Sequence, residues 1–301
     1  MRFLPAFAPR ALAAAALALA ASAAFAQSTP EPKHFLWEVQ SMTNRLWLYG
    51  TIHAGKQEWF PLPEPVERAL AESQVLAVEA DVTDVDAMAK TTSALTYVAP
   101  DELSKHVSPG DYERFKAQLE KQRIPEGAVK RLKPFPASSL LMFSEWGRLG
   151  FQPHFGIDSY LLRKAKGAKK AIVELEGIEA QSQLIDSLTD EEQRAAFAGT
   201  IAALESGLTS EQIEGMVKAW QSGDAFLMLE VARRYNEKTP GARELEEKFI
   251  WSRHEAMVKK IEEFLNKSDR RHFVAVGSLH LAGPRGLVEL LRRKGYLVRQ
   301  Q

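Results

Sequence analysis

Apolar residues fall into short runs separated by long amphipathic stretches, and two of the runs end alike. Phe273-Val274-Ala275-Val276 leads into Gly277-Ser278-Leu279-His280, and far upstream Leu46-Trp47-Leu48-Tyr49 leads into Gly50-Thr51-Ile52-His53. Each reads as a buried strand that breaks at glycine and presents a histidine just past its end. Phe35 to Val39 precedes the upstream run across the turn residues Ser41 to Asn44, a hairpin pattern. Pro61-Leu62-Pro63 then marks a loop, and Glu64 to Glu72 a helix with an acidic first turn. Val75 to Ala80 is a short buried strand carrying Glu79 near its end. Strand, histidine loop, helix, strand is a βαβ unit, which predicts parallel pairing of the two strands that flank the helix.

Helical patterning dominates the middle. Asp84 to Ala89, Asp111 to Gln122, Ala137 to Arg148 and a segment opened by Gly156-Ile157-Asp158 and running to Ala165 read as helices. Lys170 to Leu175 interrupts them as a further buried strand, ending in Glu174-Leu175-Glu176-Gly177. Helices resume over Ile178 to Ser187, Asp190 to Ser206, Ser210 to Gln221, Asp224 to Tyr235 and Arg243 to Leu265. After Phe273 to Val276, Arg285 to Arg293 is a helix with a basic last turn and Gly295 beyond it, and Tyr296 to Val298 is a closing strand. The predicted fold is α/β. A central mixed, mostly parallel sheet comes from the N- and C-terminal thirds, with helical cover and a large helical insertion at about 178–265.

Composition narrows the chemistry. Acidic and basic residues balance at 39 each, which leaves no electrostatic footprint for nucleic acid. With no cysteine, thiol catalysis, thiolate metal sites and iron–sulfur clusters are excluded, and any metal must be held by His, Asp or Glu. Residues 1–26 have the form of a cleaved signal peptide: Arg2 and Arg10, an apolar run from Ala11 to Ala24, and Ala24-Phe25-Ala26 before Gln27. The expectation is an exported chain, periplasmic or secreted, with one domain over 27–301 and no transmembrane segment after cleavage.

His53 and His280 are the leading candidates for chemistry, because ligands of open α/β sheets bind beyond the carboxyl ends of parallel strands. Gly50 and Gly277 would let a ligand approach the backbone. Glu79 lies at a strand end where burial needs a partner, and Glu176 competes with Glu174 for the same description. Asp158 either caps its helix or orients a ligand. Arg253 is a surface arginine or an anion clamp. His154 could line the cleft, whereas His34, His106, His254 and His272 read as surface or capping residues. The chain has no G-x-S-x-G, H-E-x-x-H, Walker A or G-x-G-x-x-G motif.

These residues, taken in order, resemble the TraB/GumN family, which also holds the TIKI metalloproteases. The resemblance rests on Gly50-Thr51-Ile52-His53, Val78-Glu79, Gly156-Ile157-Asp158, Leu175-Glu176 with Gln181, Trp220 with Gly223-Asp224, Arg253, and Val276 to Pro284. It implies a fold related to the haem-binding ChaN proteins and erythromycin esterases. It also implies metal-dependent cleavage of peptide bonds, with His53, Glu79 and His280 first as site residues and Glu176, Asp158 and Arg253 second. The expected ion is Mn²⁺, Co²⁺ or Zn²⁺, and the expected partner is a peptide or small-molecule substrate. Arg253 would stabilise a developing oxyanion or hold a substrate carboxylate. Two alternatives stand beside this reading: metal-independent hydrolysis with a His/Glu general base, and haem or small-ligand binding without catalysis. The family commonly has Arg-Asn where this chain has Arg253-His254.

Overall fold

The computed structural model describes residues 33–91, 95–267 and 269–301. The expected signal peptide therefore lies outside the described residues. The strands are β1 Leu36–Gln40, β2 Arg45–Thr51, β3 Val75–Val78, β4 Ala171–Glu174, β5 His272–Gly277 and β6 Leu297–Gln300. They form one sheet in the order β4-β3-β5-β2-β1-β6. β4, β3, β5 and β2 run parallel, and β1 is antiparallel to both β2 and β6. All of β3 and the first five residues of β5 are buried, as expected of strands covered on both faces. The mixed, mostly parallel α/β architecture is as the sequence predicts. One detail differs: β2 and β3 are parallel but not paired, because β5 lies between them. A strand from the C-terminal third, β5, thus lies between the two strands of the βαβ unit.

The helical middle has a core of its own. Leu103, Phe115, Leu119 and Leu141 pack with Phe197, Ile201 and Leu204, so segments from both sides of β4 contribute. Local signals fix several helix starts. Thr189 and Glu192 form a capping box at Asp190–Glu205, and Asp224 accepts from the Leu227 N–H at the head of Ala225–Lys238.

The single helix predicted over Arg243 to Leu265 is broken in two. Ala242–Phe249 ends at Ile250, a 3-10 turn covers Trp251–Arg253, and His254–Lys267 resumes. In an unbroken helix the Arg253 backbone N–H would bond to the Phe249 carbonyl. Here the Arg253 side chain supplies that donor, Nη1 to the Phe249 carbonyl at 2.7 Å. The break turns the Arg253 guanidinium inward.

His272 is another departure from expectation. It is 4% exposed, not a surface residue, with its ring stacked on Phe264 at 4.2 Å and Nδ1 donating to the Arg270 carbonyl. Burial lowers its pKa. Unfolded His binds a proton below about pH 6.5, whereas buried His272 resists it, so stability is lost as pH falls below about 6.5. His272→Phe is expected to soften this loss, by up to about 1.4 kcal/mol per pH unit. Urea midpoints at pH 7.5 and pH 5 check it, and an unchanged acid sensitivity would count against the assignment.

Candidate active site

The strand register sets the site. Thr51 of β2 lies opposite Gly277 of β5, and Val78 of β3 lies opposite both Ala275 of β5 and Glu174 of β4. The four parallel strands therefore end almost level, and the residues just beyond them share one edge. His53 follows β2, Glu79 follows β3, Glu176 follows β4, and His280 sits in the 3-10 turn Ser278–Leu281 after β5. Backbone contacts hold these ends together. Glu176 and Gly177 both donate their N–H to the Glu79 carbonyl, and Ser278 Oγ donates to the Thr51 carbonyl at 2.7 Å. Trp220 Nε1 donates to the Gly50 carbonyl at 2.8 Å.

His53 is oriented by Asp158. Its Nδ1 lies 2.8 Å from Asp158 Oδ2, and Thr51 Oγ1 donates to the other carboxylate oxygen at 2.7 Å. Asp158 does not cap its helix, whose N-cap is Gly156; its carboxylate orients the His53 ring. Gly156 permits the approach: a Cβ there would stand 2.3 Å from the His53 carbonyl oxygen. The Asp158 carboxylate raises the His53 pKa to about 9. The imidazole is 62% exposed, so solvent screens the pair and limits its weight in stability.

Glu79 is held on both oxygens. The Gly277 N–H donates to Oε1 at 2.7 Å, while Arg253 Nη2 donates to Oε2 at 2.5 Å and Gln181 Nε2 approaches Oε2 at 3.4 Å. Burial opposes ionisation of Glu79, but the neighbouring His280, Arg253 and His53, together with the Gly277 N–H, outweigh it and bring the pKa down to about 2. Glu176 pairs with Arg253 through Nε and Nη2. Glu174 instead accepts from the Asp81 N–H, so of the two glutamates Glu176 is the one that joins this cluster.

Arg253 has five N–H donors. Nε goes to Glu176, Nη2 to Glu79 and Glu176, and Nη1 to the Phe249 carbonyl and His280 Nε2. All five thus face protein acceptors in this structure. Arg253 is the buried counter-charge for two carboxylates.

His280 is 2% exposed. Its Nε2 lies 3.2 Å from Arg253 Nη1 and 3.7 Å from Glu79 Oε1, and its Nδ1 lies 2.9 Å from His254 Nε2. Burial pushes its pKa down against the opposing pull of the Glu79 carboxylate, with Arg253 acting in the same direction as burial. His254 was expected at the surface. It is 3% exposed and joins His280 to the Arg285 carbonyl. Nothing in its local pattern marks this, because the helix break that places it is not visible in the periodicity.

The two motif glycines differ. A Cβ on Gly50 would lie 2.4 Å from the Phe35 ring, so this glycine is needed for packing and does not face a ligand as expected. A Cβ on Gly277 would enter a cradle 3.5 Å from Glu79 Oε1, 3.5 Å from His280 Cδ2 and 3.6 Å from His53 Nε2. Among the described residues no three acidic or histidine side chains are drawn together tightly enough to form a preassembled cation site. The donors around Gly277 nonetheless suit a borderline divalent ion in type, although His280 turns its Cδ2 edge to the cradle and its Nε2 to Arg253 Nη1. They are two imidazoles whose Nδ1 atoms are held by other groups, and a carboxylate fixed by a backbone N–H.

An α/β sheet whose carboxyl edge carries paired Gly-x-x-His loops around a shared glutamate defines the class. The chain belongs to the TraB/PrgY/gumN family, whose profile matches residues 35–300. Uncharacterized protein YbaP of Escherichia coli (strain K12) is 26% identical over 273 residues, 86% of this chain and 94% of that protein. A metalloprotease TIKI homolog of Amphimedon queenslandica is 24% identical over 314 residues, 88% of this chain and 61% of its own length. Metalloprotease TIKI1 of Danio rerio is 24% identical over 310 residues, 88% of this chain and 62% of its own. This chain thus spans about three fifths of the TIKI proteins it matches. No solved structure matches it. No helix among the described residues is long and apolar enough to cross a membrane.

Proposed function

We propose that this chain is a metal-dependent hydrolase of peptide bonds, exported to the cell envelope by the signal read at its N terminus. The observation that carries the proposal is the Gly277 cradle, where His53 Nε2 and Glu79 Oε1 border one small space beside the His280 ring. Relatives named as metalloproteases support it. His53, His280 and Glu79 would hold a Mn²⁺, Co²⁺ or Zn²⁺ ion. When bound, such an ion polarises a scissile carbonyl and lowers the pKa of a water. Asp158 turns His53 Nε2 toward the cradle, and Gly277 and Arg253 keep Glu79 ionised. A carboxylate held ionised this firmly serves better as a ligand than as a base. The exposure of the His53 ring supports entry of a substrate from that side.

Metal-independent hydrolysis is the second reading. It is favoured by one contact, the Arg253 Nη1 donation to His280 Nε2, which places a protein cation beside the nitrogen that would bind an ion. No observation favours the haem alternative. The test is cleavage of an unstructured peptide library by the mature chain, stripped by chelator and then reloaded with Mn²⁺, Co²⁺ or Zn²⁺. Activity is expected to vanish on stripping and return on reloading. Cleavage that survives full stripping would replace the first reading with the second, and no cleavage with any ion would overturn both.

A further inference from the structure

The outer side of β4, one edge of the sheet, is open. Leu175 donates its N–H to the Val78 carbonyl, so residue 175 faces β3. Backbone groups alternate sides along a strand, so Ala171 and Val173 face β3 as well. Ile172 and Glu174 therefore turn their N–H and C=O groups away from the sheet. Among the described residues nothing bonds to these two N–H or two C=O groups, and it is the Glu174 carboxylate that takes the Asp81 N–H. Ala171 and Glu174 are exposed, and Ile172 and Val173 only partly buried. The opposite edge is guarded. On β6 the outward carbonyl of buried Val298 accepts from Arg292 Nη2 at 3.2 Å.

An unguarded row of N–H and C=O groups is a template for another strand. This one leads to the candidate site, because β4 runs on through Leu175 into Glu176, which pairs with Arg253. We propose that the outer edge of β4 binds an extended stretch of the peptide substrate as an added strand, through the backbone of Ile172 and Glu174. Such a site selects unfolded or strand-forming chains by their backbone, not by one side chain. That the bound stretch belongs to a substrate rests on the hydrolase reading above. An added strand would stand three strand spacings, about 14 Å, from β5, whose last residue is Gly277 of the cradle. Crossing that gap takes about four extended residues, in addition to those paired with the 4-residue β4. Peptides with fewer than about eight residues on one side of the scissile bond should therefore be cut slowly.

The test uses a dye-labelled dodecapeptide, capped at both ends, in which Thr and Val alternate. It is titrated by fluorescence anisotropy into the full mature chain stripped of metal, so that nothing is cut. Saturable binding is expected, with amide exchange at Ile172 and Glu174 slowed about 10-fold or more. Ile172→Pro removes an N–H that bonds to nothing in the free chain, on an edge where proline is tolerated. It is expected to fold as wild type and to bind about 5–10-fold more weakly. Methylating every peptide nitrogen should abolish binding to wild type. Methylating every second one, which leaves one pairing edge intact, should not. No saturable binding, binding that Ile172→Pro leaves unchanged, or binding that survives full methylation would each overturn the proposal. So would a wild-type dimer in sedimentation that Ile172→Pro makes monomeric, since a second copy would then hold the edge. If the peptide binds as stated but the chain reloaded with Mn²⁺, Co²⁺ or Zn²⁺ cuts nothing, the hydrolase reading fails and the edge remains a peptide site. Cleavage that Ile172→Pro leaves at the wild-type KM contradicts the edge and spares the hydrolase reading.

Discussion

Arg253→Met is expected to lower the unfolding free energy by about 3–5 kcal/mol, because it strands two buried carboxylates. The side chains of Arg253, Glu79 and Glu176 are 11%, 10% and 12% exposed, so water cannot take over the lost contacts without opening the sheet edge. The same change leaves the Phe249 carbonyl, which Arg253 Nη1 satisfies at the helix break, without its donor. Adding Glu176→Gln to Arg253→Met should recover part of the loss, since one uncompensated charge is then removed. Urea denaturation at neutral pH reads both numbers. A loss below about 1 kcal/mol for the single variant would place Arg253 among ordinary surface pairs and undo its role as the shared counter-charge.

The two motif glycines should fail in opposite ways. Gly277 has a φ of −52°, which any residue adopts, and a methyl there meets only ordinary van der Waals contacts at 3.5–3.6 Å. Gly277→Ala is therefore expected to fold with little loss of stability. The methyl would fill the space between His53, Glu79 and His280, and metal retention and peptide cleavage are expected to fall by about 100-fold or more. Gly50→Ala would drive a methyl to 2.4 Å from the Phe35 ring and 3.1 Å from Ser278. Overpacking of that kind costs about 1–3 kcal/mol, and the surviving folded fraction should still bind metal. Thermal unfolding and calorimetric metal titration on both variants check the contrast. Equal losses in both, of either kind, would contradict it.

Much of this was legible in the sequence where local pattern and tertiary role coincide. The apolar runs of β2, β3 and β5 are buried from end to end, or nearly so, and a buried parallel strand reads as a continuous apolar stretch. Glycine followed three residues later by histidine marks both site loops, and Glu79 was visible as a charge at the end of an apolar run. What local pattern does not carry is adjacency. That β5 separates β2 from β3 is a long-range choice, and it is the choice that brings His280 beside Glu79. The Ile250 break is also hidden, because Arg243 to Leu265 keeps a helical pattern through it. Arg253 and His254 owe their inward places to that break, which is why His254 was expected at the surface. The unequal roles of Gly50 and Gly277 depend on Phe35 and Ser278, neighbours that the motif does not name.

The central claim is that His53 and His280 serve one site with Glu79 between them. Metal analysis tests it most directly: the mature chain, His53→Ala and His280→Ala are each stripped, offered Mn²⁺, Co²⁺ or Zn²⁺ in turn, desalted and measured for bound ion. The account predicts about one ion per wild-type chain for at least one of the metals, and near-background content in both variants. Wild type that retains no ion above background, or a variant of either histidine that retains as much as wild type, would contradict it.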